Sequence, residues 1–268
     1  MPCPGPSLYE ATRSDRADRG HGASWISPPP DLTLRPQELH LWRATTSPSP
    51  AELPSAEALL SGDERDRADR FRHARDRTRY IVARAGLRRI LGAYLQVDPR
   101  TLSLAYSANG KPHLSGAHAT LDLQFNLSHS GEWVAYAFAL GRAVGVDIER
   151  MDPIPDLMAI ANRYFAASEF AEIQRLVGAS QLEAFYTCWT RKEAYLKARG
   201  EGLSYPLSQF AVSVRAGETP GLLANDREPE EVSRWSLHVL HVDDGYVGTG
   251  CAEGRPTCTR FFEQSATD

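Results

Sequence analysis

The chain has 268 residues, with 30 Lys and Arg against 34 Asp and Glu, a formal net charge of −4. That length suits one large domain or two smaller ones around a packed core. The mild charge excludes a whole-molecule polyanion binder, and no apolar run approaches the ~20 residues that span a bilayer. The first residues lack a basic patch followed by an apolar stretch, so a secretory signal is not expected and a cytoplasmic protein is. Cys3, Cys188, Cys251 and Cys258 have no metal-type spacing. Cys251 and Cys258 are near enough in sequence to pair, but free thiols in a reducing compartment are the simpler expectation.

Residues 1–35 carry prolines at positions 2, 4, 6, 28, 29 and 30, and read as a flexible N-terminal extension. Leu39 to Trp42 suggests a first strand, and Pro48, Pro50 and Pro54 mark a turn region. A helix follows, capped by Asp63, with apolar residues from Phe71 to Leu95 at helical spacing. Asp98-Pro99 ends it. Leu102, Leu104 and Tyr106 alternate like a strand, and Asn109-Gly110 is a strong turn signal. Leu121, Leu123, Phe125 and Leu127 alternate with Asp122, Gln124, Asn126 and Ser128, which predicts a half-buried strand. Ser130-Gly131 turns the chain into Trp133–Leu140, and Val144–Ile148 forms the next strand.

The second half has a similar order. Helical patterns cover roughly Pro155 to Leu176 and Gln181 to Arg199. Strands are expected at Phe210 to Val214, Trp235 to Val242 and Tyr246 to Cys251, with a polar loop near 216–233. An α+β chain of two similar lobes accommodates this order. The boundaries are 36–142 for the N-terminal lobe and 143–254 for the C-terminal lobe, with 255–268 as a C-terminal tail.

In the run Gly145-Val146-Asp147-Ile148-Glu149, strand alternation puts Asp147 and Glu149 on one face. Adjacent carboxylates repel unless a cation or water separates them. Mg²⁺ prefers oxygen ligands and is commonly held by one or two carboxylates plus substrate phosphates. Taken alone, Asp-x-Glu reads as a solvated acidic strand face. In Trp189 to Lys197, Glu193 and Lys197 stand one helical turn apart; alone they read as a surface ion pair worth ~0.3–0.5 kcal/mol. Ser128-His129-Ser130 ends a strand at a turn, where backbone amides and an imidazole are able to meet a phosphate. Asn109-Gly110-Lys111-Pro112 reads first as a hairpin turn with an exposed lysine. Ten arginines crowd residues 65–89, with Asp63, Glu64, Asp66, Asp69 and Asp76 among them, so much of this run is a salt-bridged helix face.

Each signal is weak, but their order is distinctive. Asn-Gly-Lys-Pro, then Phe125-Asn126-Leu127-Ser128-His129-Ser130, then Gly145 to Glu149, then Trp189 to Lys197, resembles the 4′-phosphopantetheinyl transferases, and within them the Sfp-type group of secondary metabolism. Arg70 to Asp76 with Arg79-Tyr80, and the Gly-Glu-Gly-Leu-Ser-Tyr-Pro-Leu segment at 200–207, fit the same group. The resemblance spans about residues 38–252 and implies a pseudo-twofold monomer with its active site between two α/β lobes. It also implies coenzyme A as co-substrate, Mg²⁺ as cofactor, and acyl, peptidyl or aryl carrier protein domains of polyketide or nonribosomal peptide synthetases as partners, with neither nucleic acid nor membrane.

Carried over by position, Asp147, Glu149 and Glu193 match the family's metal-binding acids. Lys197 matches the lysine near the pyrophosphate, and Lys192 the lysine before the helix glutamate. Ser128 and His129 match the coenzyme A phosphate site. Asn109, Gly110 and Lys111 match the loop beside the adenine and ribose. Arg67, with Arg79 second, matches the residue that reaches the 3′-phosphate. Glu64 stands where some members carry lysine. Glu193 and Lys197 are the expected catalytic pair. The competing readings are a Mg²⁺-dependent phosphodiesterase acting on coenzyme A or a related nucleotide, and a nucleic-acid-binding module built on the arginine-dense helix, which predicts strongly salt-dependent binding.

Overall fold

The computed structural model describes residues 24–202, 205–215 and 217–264. The first lobe opens with β1 (Glu38–Thr45), followed by α1 (Glu52–Glu57), α2 (Gly62–Ala68) and the long α3 (Ala74–Leu95). A short hairpin, β2 (Leu104–Tyr106) and β3 (Pro112–Leu114), turns at Asn109-Gly110, where Gly110 supplies φ 78°. Strands β4 (Leu123–Ser130) and β5 (Trp133–Leu140) follow, joined by the two-residue loop Gly131-Glu132. The second lobe repeats that order: β6 (Val144–Arg150), α4 (Leu157–Tyr164), α5 (Ala167–Gln174), the long α6 (Gly178–Arg199), a hairpin of β7 (Phe210–Val212) and β8 (Leu222–Asn225), then α7 (Glu231–Arg234), β9 (Trp235–Val239) and β10 (Tyr246–Glu253). Both long helices have 22 residues, and the sheets run β1-β5-β4 and β6-β10-β9. The fold is α+β with two similar lobes, as the sequence leads one to expect.

Alternation along three strands explains how the layers stack. In β5, Val134, Tyr136 and Phe138 join the core under α3, while Ala135, Ala137 and Ala139 face the second lobe. In β1, Trp42 and Ala44 point to the first core and Leu39 and Leu41 to the lobe interface. In β6, Val144, Val146 and Ile148 enter that same interface, so Gly145, Asp147 and Glu149 turn toward α6. The layers come closest where a residue is small. A Cβ on Gly250 would stand 2.8 Å from Leu41 Cδ2. A Cβ on Gly145 would stand 2.1 Å from the Ala194 carbonyl oxygen and 2.4 Å from the Ala198 nitrogen, so α6 lies directly on bare β6 backbone.

The edges β4 and β6 meet without a backbone ladder. Asn126 Oδ1 accepts the Val146 N–H at 2.9 Å, and Ser130 Oγ accepts the Arg150 N–H at 3.1 Å. The polar face of β4 is therefore the seam between lobes and not a solvated face. Side-chain oxygens, not backbone carbonyls, meet the β6 amides there, and a cleft opens along the seam.

Several expectations are corrected. The helix expected from Asp63 to Leu95 is two helices: α2 starts after Ser61, whose N–H donates to Glu64 at 3.0 Å, and α3 begins at Ala74. The break lets α2 fold onto α3, where the buried Glu64 meets Arg88 Nε at 2.6 Å. The helix expected from Pro155 to Leu176 also divides, because Phe165 turns into the core and Ala166 is extended, with its N–H bonded to Glu169 at 2.8 Å. The turn region expected at Pro48, Pro50 and Pro54 holds α1, and the polar loop near 216–233 holds β8 and part of α7. The segment expected as a C-terminal tail, 255–268, contains a further strand, β11 (Cys258–Glu263), paired parallel to β1. It buries Phe262 against Trp42 and extends the first lobe's sheet to β11-β1-β5-β4.

Part of the expected extension 1–35 is docked: Ile26 bridges to Phe262, Trp25 Nε1 donates to the His241 carbonyl at 2.7 Å, and Leu32 is in the first core. The rest of that extension, residues 1–23, and Leu203 and Ser204 of the 200–207 segment lie outside the described residues. Cys188 and Cys251 are free and buried, so Cys251 does not pair with Cys258; Cys258 is disulfide-bonded, against the expectation of free thiols. Among the described residues no helix is long and apolar enough to cross a membrane.

Gly145→Ala is expected to push α6 off β6, costing about 1–3 kcal/mol or more as for other overpacked sites. Equilibrium urea unfolding measures it; wild-type stability in the variant would contradict the close approach.

Candidate active site

β6 presents Asp147 and Glu149 toward α6, and α6 presents Glu193 and Lys197 one turn apart toward β6. Lys197 Nζ stands 2.6 Å from Asp147 Oδ1 and 3.0 Å from Ser128 Oγ, and Ser128 donates to the same Asp147 oxygen at 2.8 Å. Ser130 Oγ donates to Glu149 Oε2 at 2.6 Å. Burial raises the pKa of Glu193, and the neighbouring Asp147 carboxylate raises it further. Burial raises that of Glu149 too, against the Ser130 hydrogen bond. Two buried carboxylate oxygens, Asp147 Oδ2 and Glu193 Oε1, have no hydrogen-bond partner. Orphaned carboxylate oxygens are costly, and a hard cation satisfies them without a donor hydrogen. The donor set therefore fits Mg²⁺, although among the described residues no three His, Cys, Asp or Glu side chains already stand as a closed metal-binding group. The acids share one cleft instead.

That cleft, about 950 Å³, runs along the β4–β6 seam and is lined from both lobes. Two clusters on its wall differ in chemistry. The acids and Lys197 form one with Ser128 and His129. Arg67, Tyr80, Arg84 and Tyr106 form the other. Arg84 is 4% exposed and donates to the Tyr106 hydroxyl, and the Arg67 guanidinium lies 5.7 Å from the Tyr80 ring centre. His129 lies between Lys197 and Arg79; burial, then those two cations, lower its pKa, which favours the neutral ring.

The structure brings Arg67, Gly110, Ser128, His129, Asp147, Glu149, Glu193 and Lys197 to the wall of this one cleft. Four other expected residues stand off it. Arg79 pairs with Asp76 at 3.8 Å, and its charge acts on His129. Asn109 Nδ2 donates to the Gly200 carbonyl at 2.8 Å. Lys111, expected exposed and near a phosphate, is half-buried. Its ammonium donates to the carbonyls of Val144 and Lys197 at 2.8 Å and of Ala198 at 3.2 Å, and burial lowers its pKa to about 8. Lys192, expected beside the cofactor, is fully buried on the far face of α6, 2.8 Å from Glu169 and bonded to the Leu207 and Phe210 carbonyls. Helical spacing explains that correction: adjacent Lys192 and Glu193 point about 100° apart.

Sequence reasoning missed Tyr80, Arg84 and Tyr106 in the cationic cluster, and Glu169 in the core. Arg84 was hidden among ten arginines, several of which satisfy nearby acids: Arg75 with Glu132, Arg77 with Glu57 and Asp69, Arg88 with Glu64. Lys192→Met is expected to cost about 3–5 kcal/mol, because it strands Glu169 in the core. Glu169→Gln in the same chain should recover part of that loss. Chemical denaturation of Lys192→Met, Glu169→Gln and the double variant measures it, and additive losses would contradict the buried pair.

Two family models tile the chain: residues 143–251 match the 4′-phosphopantetheinyl transferase superfamily, and residues 44–140 match the N-terminal part of a 4′-phosphopantetheinyl transferase. The 4′-phosphopantetheinyl transferase HetI of Nostoc sp. is 36% identical over 231 residues, 86% of this chain and 94% of its own. The 4′-phosphopantetheinyl transferase Sfp of Bacillus subtilis is 30% identical over 195 residues, 73% of this chain and 83% of its own. A holo-(acyl-carrier-protein) synthase from Bacillus anthracis, solved in complex with CoA (3′,5′-ADP), matches 42% of this chain and 96% of its own at 19% identity with a TM-score of 0.35, too slight a likeness to carry weight here. On its match to HetI across nearly all of that relative, and on the two models that join at the seam between its lobes, the chain belongs to the 4′-phosphopantetheinyl transferase superfamily.

Proposed function

We propose that the chain transfers the 4′-phosphopantetheinyl group of coenzyme A to a serine of an acyl, peptidyl or aryl carrier protein, with release of 3′,5′-ADP, and so activates polyketide or nonribosomal peptide synthetases. The observation that carries this reading is the meeting of Asp147, Glu149, Glu193 and Lys197 with Ser128 and His129 in one interlobe cleft whose wall also carries a cationic and aromatic cluster. Coenzyme A has the complementary chemistry: a pyrophosphate, a second phosphate remote from it, and a purine.

The serine hydroxyl oxygen attacks the phosphorus that bears the pantetheine arm. A new P–O bond forms to serine, the bond to the bridging pyrophosphate oxygen breaks, and 3′,5′-ADP departs with its electron pair. Such transfers depend chiefly on alignment and on neutralising charge at the phosphoryl oxygens. Asp147, Glu149 and Glu193 are the residues that would hold Mg²⁺, which supplies charge neutralisation at a pyrophosphate. Lys197, anchored between Asp147 and Ser128, places a fixed cation beside the acids. His129 hydrogen-bonds a phosphate oxygen beside it. Arg67 and Arg84 receive the remote phosphate, and Tyr80 and Tyr106 offer faces to the purine. Glu193 accepts the serine proton.

Incubation with coenzyme A, Mg²⁺ and an apo carrier protein should add one phosphopantetheinyl mass to the carrier. Release of free phosphopantetheine without modification of any carrier would favour the phosphodiesterase reading. Asp147→Ala and Glu193→Ala should each abolish transfer in folded protein. Lys197→Ala should lower kcat more than it weakens coenzyme A binding; a large affinity loss at unchanged kcat would contradict its role.

A further inference from the structure

Lys111 sits on the turn of the first lobe's β2–β3 hairpin, yet its side chain ends in the second lobe. Two of the three carbonyls it holds, those of Lys197 and Ala198, belong to the last turn of α6. The third, Val144, opens β6 beside Gly145. The last four carbonyls of a helix lack intrahelical partners, and a cation there also opposes the helix dipole. Asn109 adds a bond to the Gly200 carbonyl, at the residue whose φ of 76° ends α6. One hairpin turn thus caps a helix of the other lobe and ties that helix to β6. The residue whose carbonyl it grips is Lys197, whose ammonium lies on Asp147 and Ser128.

We propose that Lys111 is a positioning residue for the transfer: by capping α6 across the lobe boundary it sets where the Lys197 ammonium stands against Asp147 and Ser128. The inference rests on the transferase reading and goes beyond it, since it moves Lys111 from phosphate contact to helix cap. A misplacement of about 1 Å at a reacting centre costs on the order of 100-fold in rate.

Lys111→Met should lower kcat for carrier modification by roughly 10- to 100-fold, while the Kd for coenzyme A by calorimetry stays within about 3-fold. In a Lys197→Ala background the same substitution should change kcat less than about 3-fold, because its effect passes through the missing ammonium. A merely structural role would act equally in both backgrounds, and that result overturns the proposal. So does a kcat within about 2-fold of wild type, or a Kd that weakens as much as kcat falls, which would mark a direct ligand contact. Should Lys111→Met not fold, the exposed Asn109→Ala serves: a fall in kcat of about 2- to 5-fold at constant Kd supports the cap, and an unchanged kcat overturns it. A wild type that modifies no carrier fails the transferase reading itself and takes the inference with it. A wild type that modifies its carrier while both variants match it fails the inference alone.

Discussion

The absence of a side chain at Gly145 sets the geometry of the site. Any Cβ there would overlap the Ala194 carbonyl and the Ala198 amide, so α6 is able to rest on β6 only because this position is bare. Two residues along β6 stands Asp147, and on α6 Glu193 and Lys197 flank the contact. The close approach is what brings a strand acid, a helix acid and a helix lysine into one cleft. A helix resting on ordinary side chains would stand farther out, and the 2.6 Å contact between Lys197 and Asp147 would be lost.

The second lobe's core then fixes the rotation of α6. Lys192 is locked on its inner face by Glu169 and by the carbonyls of Leu207 and Phe210, and it lies 4.2 Å from the Phe210 ring centre. With Lys192 pinned inward, the next residue, Glu193, is turned to the cleft. Lys111 and Asn109 hold the end of the same helix from the first lobe. Orientation about the axis and position along it are therefore set by different groups. Both sets bury amines that are satisfied largely by backbone oxygen, so neither competes with the cleft for a ligand.

How much of this was readable in the residues depends on the range of the interactions involved. Trp133–Leu140 is recovered residue for residue, because alternation and a Ser-Gly turn are local signals. The acids and Lys197 were placed together only by the family resemblance that their order carries, since alone each pair read as a surface feature. The divided helices were missed because their breaks are caused by distant partners, Arg88 for Glu64 and the core for Phe165. Strand β11 was missed because a parallel partner more than 200 residues away leaves no mark on the local pattern. Lys111 and Lys192 were misplaced for a related reason. A lysine beside a functional motif reads as a ligand for phosphate, and only the three-dimensional neighbours reveal that its hydrogen bonds are already taken.

The β4–β6 seam links these features to the chemistry. A continuous sheet across the lobes would bury the strand edges in a ladder and leave no cleft. Asn126 and Ser130 instead satisfy the β6 amides through their side chains. Ser128, between them on the same face, is free to turn its hydroxyl to Asp147 and Lys197. His129, with the opposite alternation, faces the cleft from the α3 side. One strand thus serves both as the joint between lobes and as a wall of the site. An opening of the lobes would break the bonds of Asn126 and Ser130 at the same time as it separated Ser128 from Asp147, so the integrity of the joint and the geometry around Lys197 are a single property of this fold.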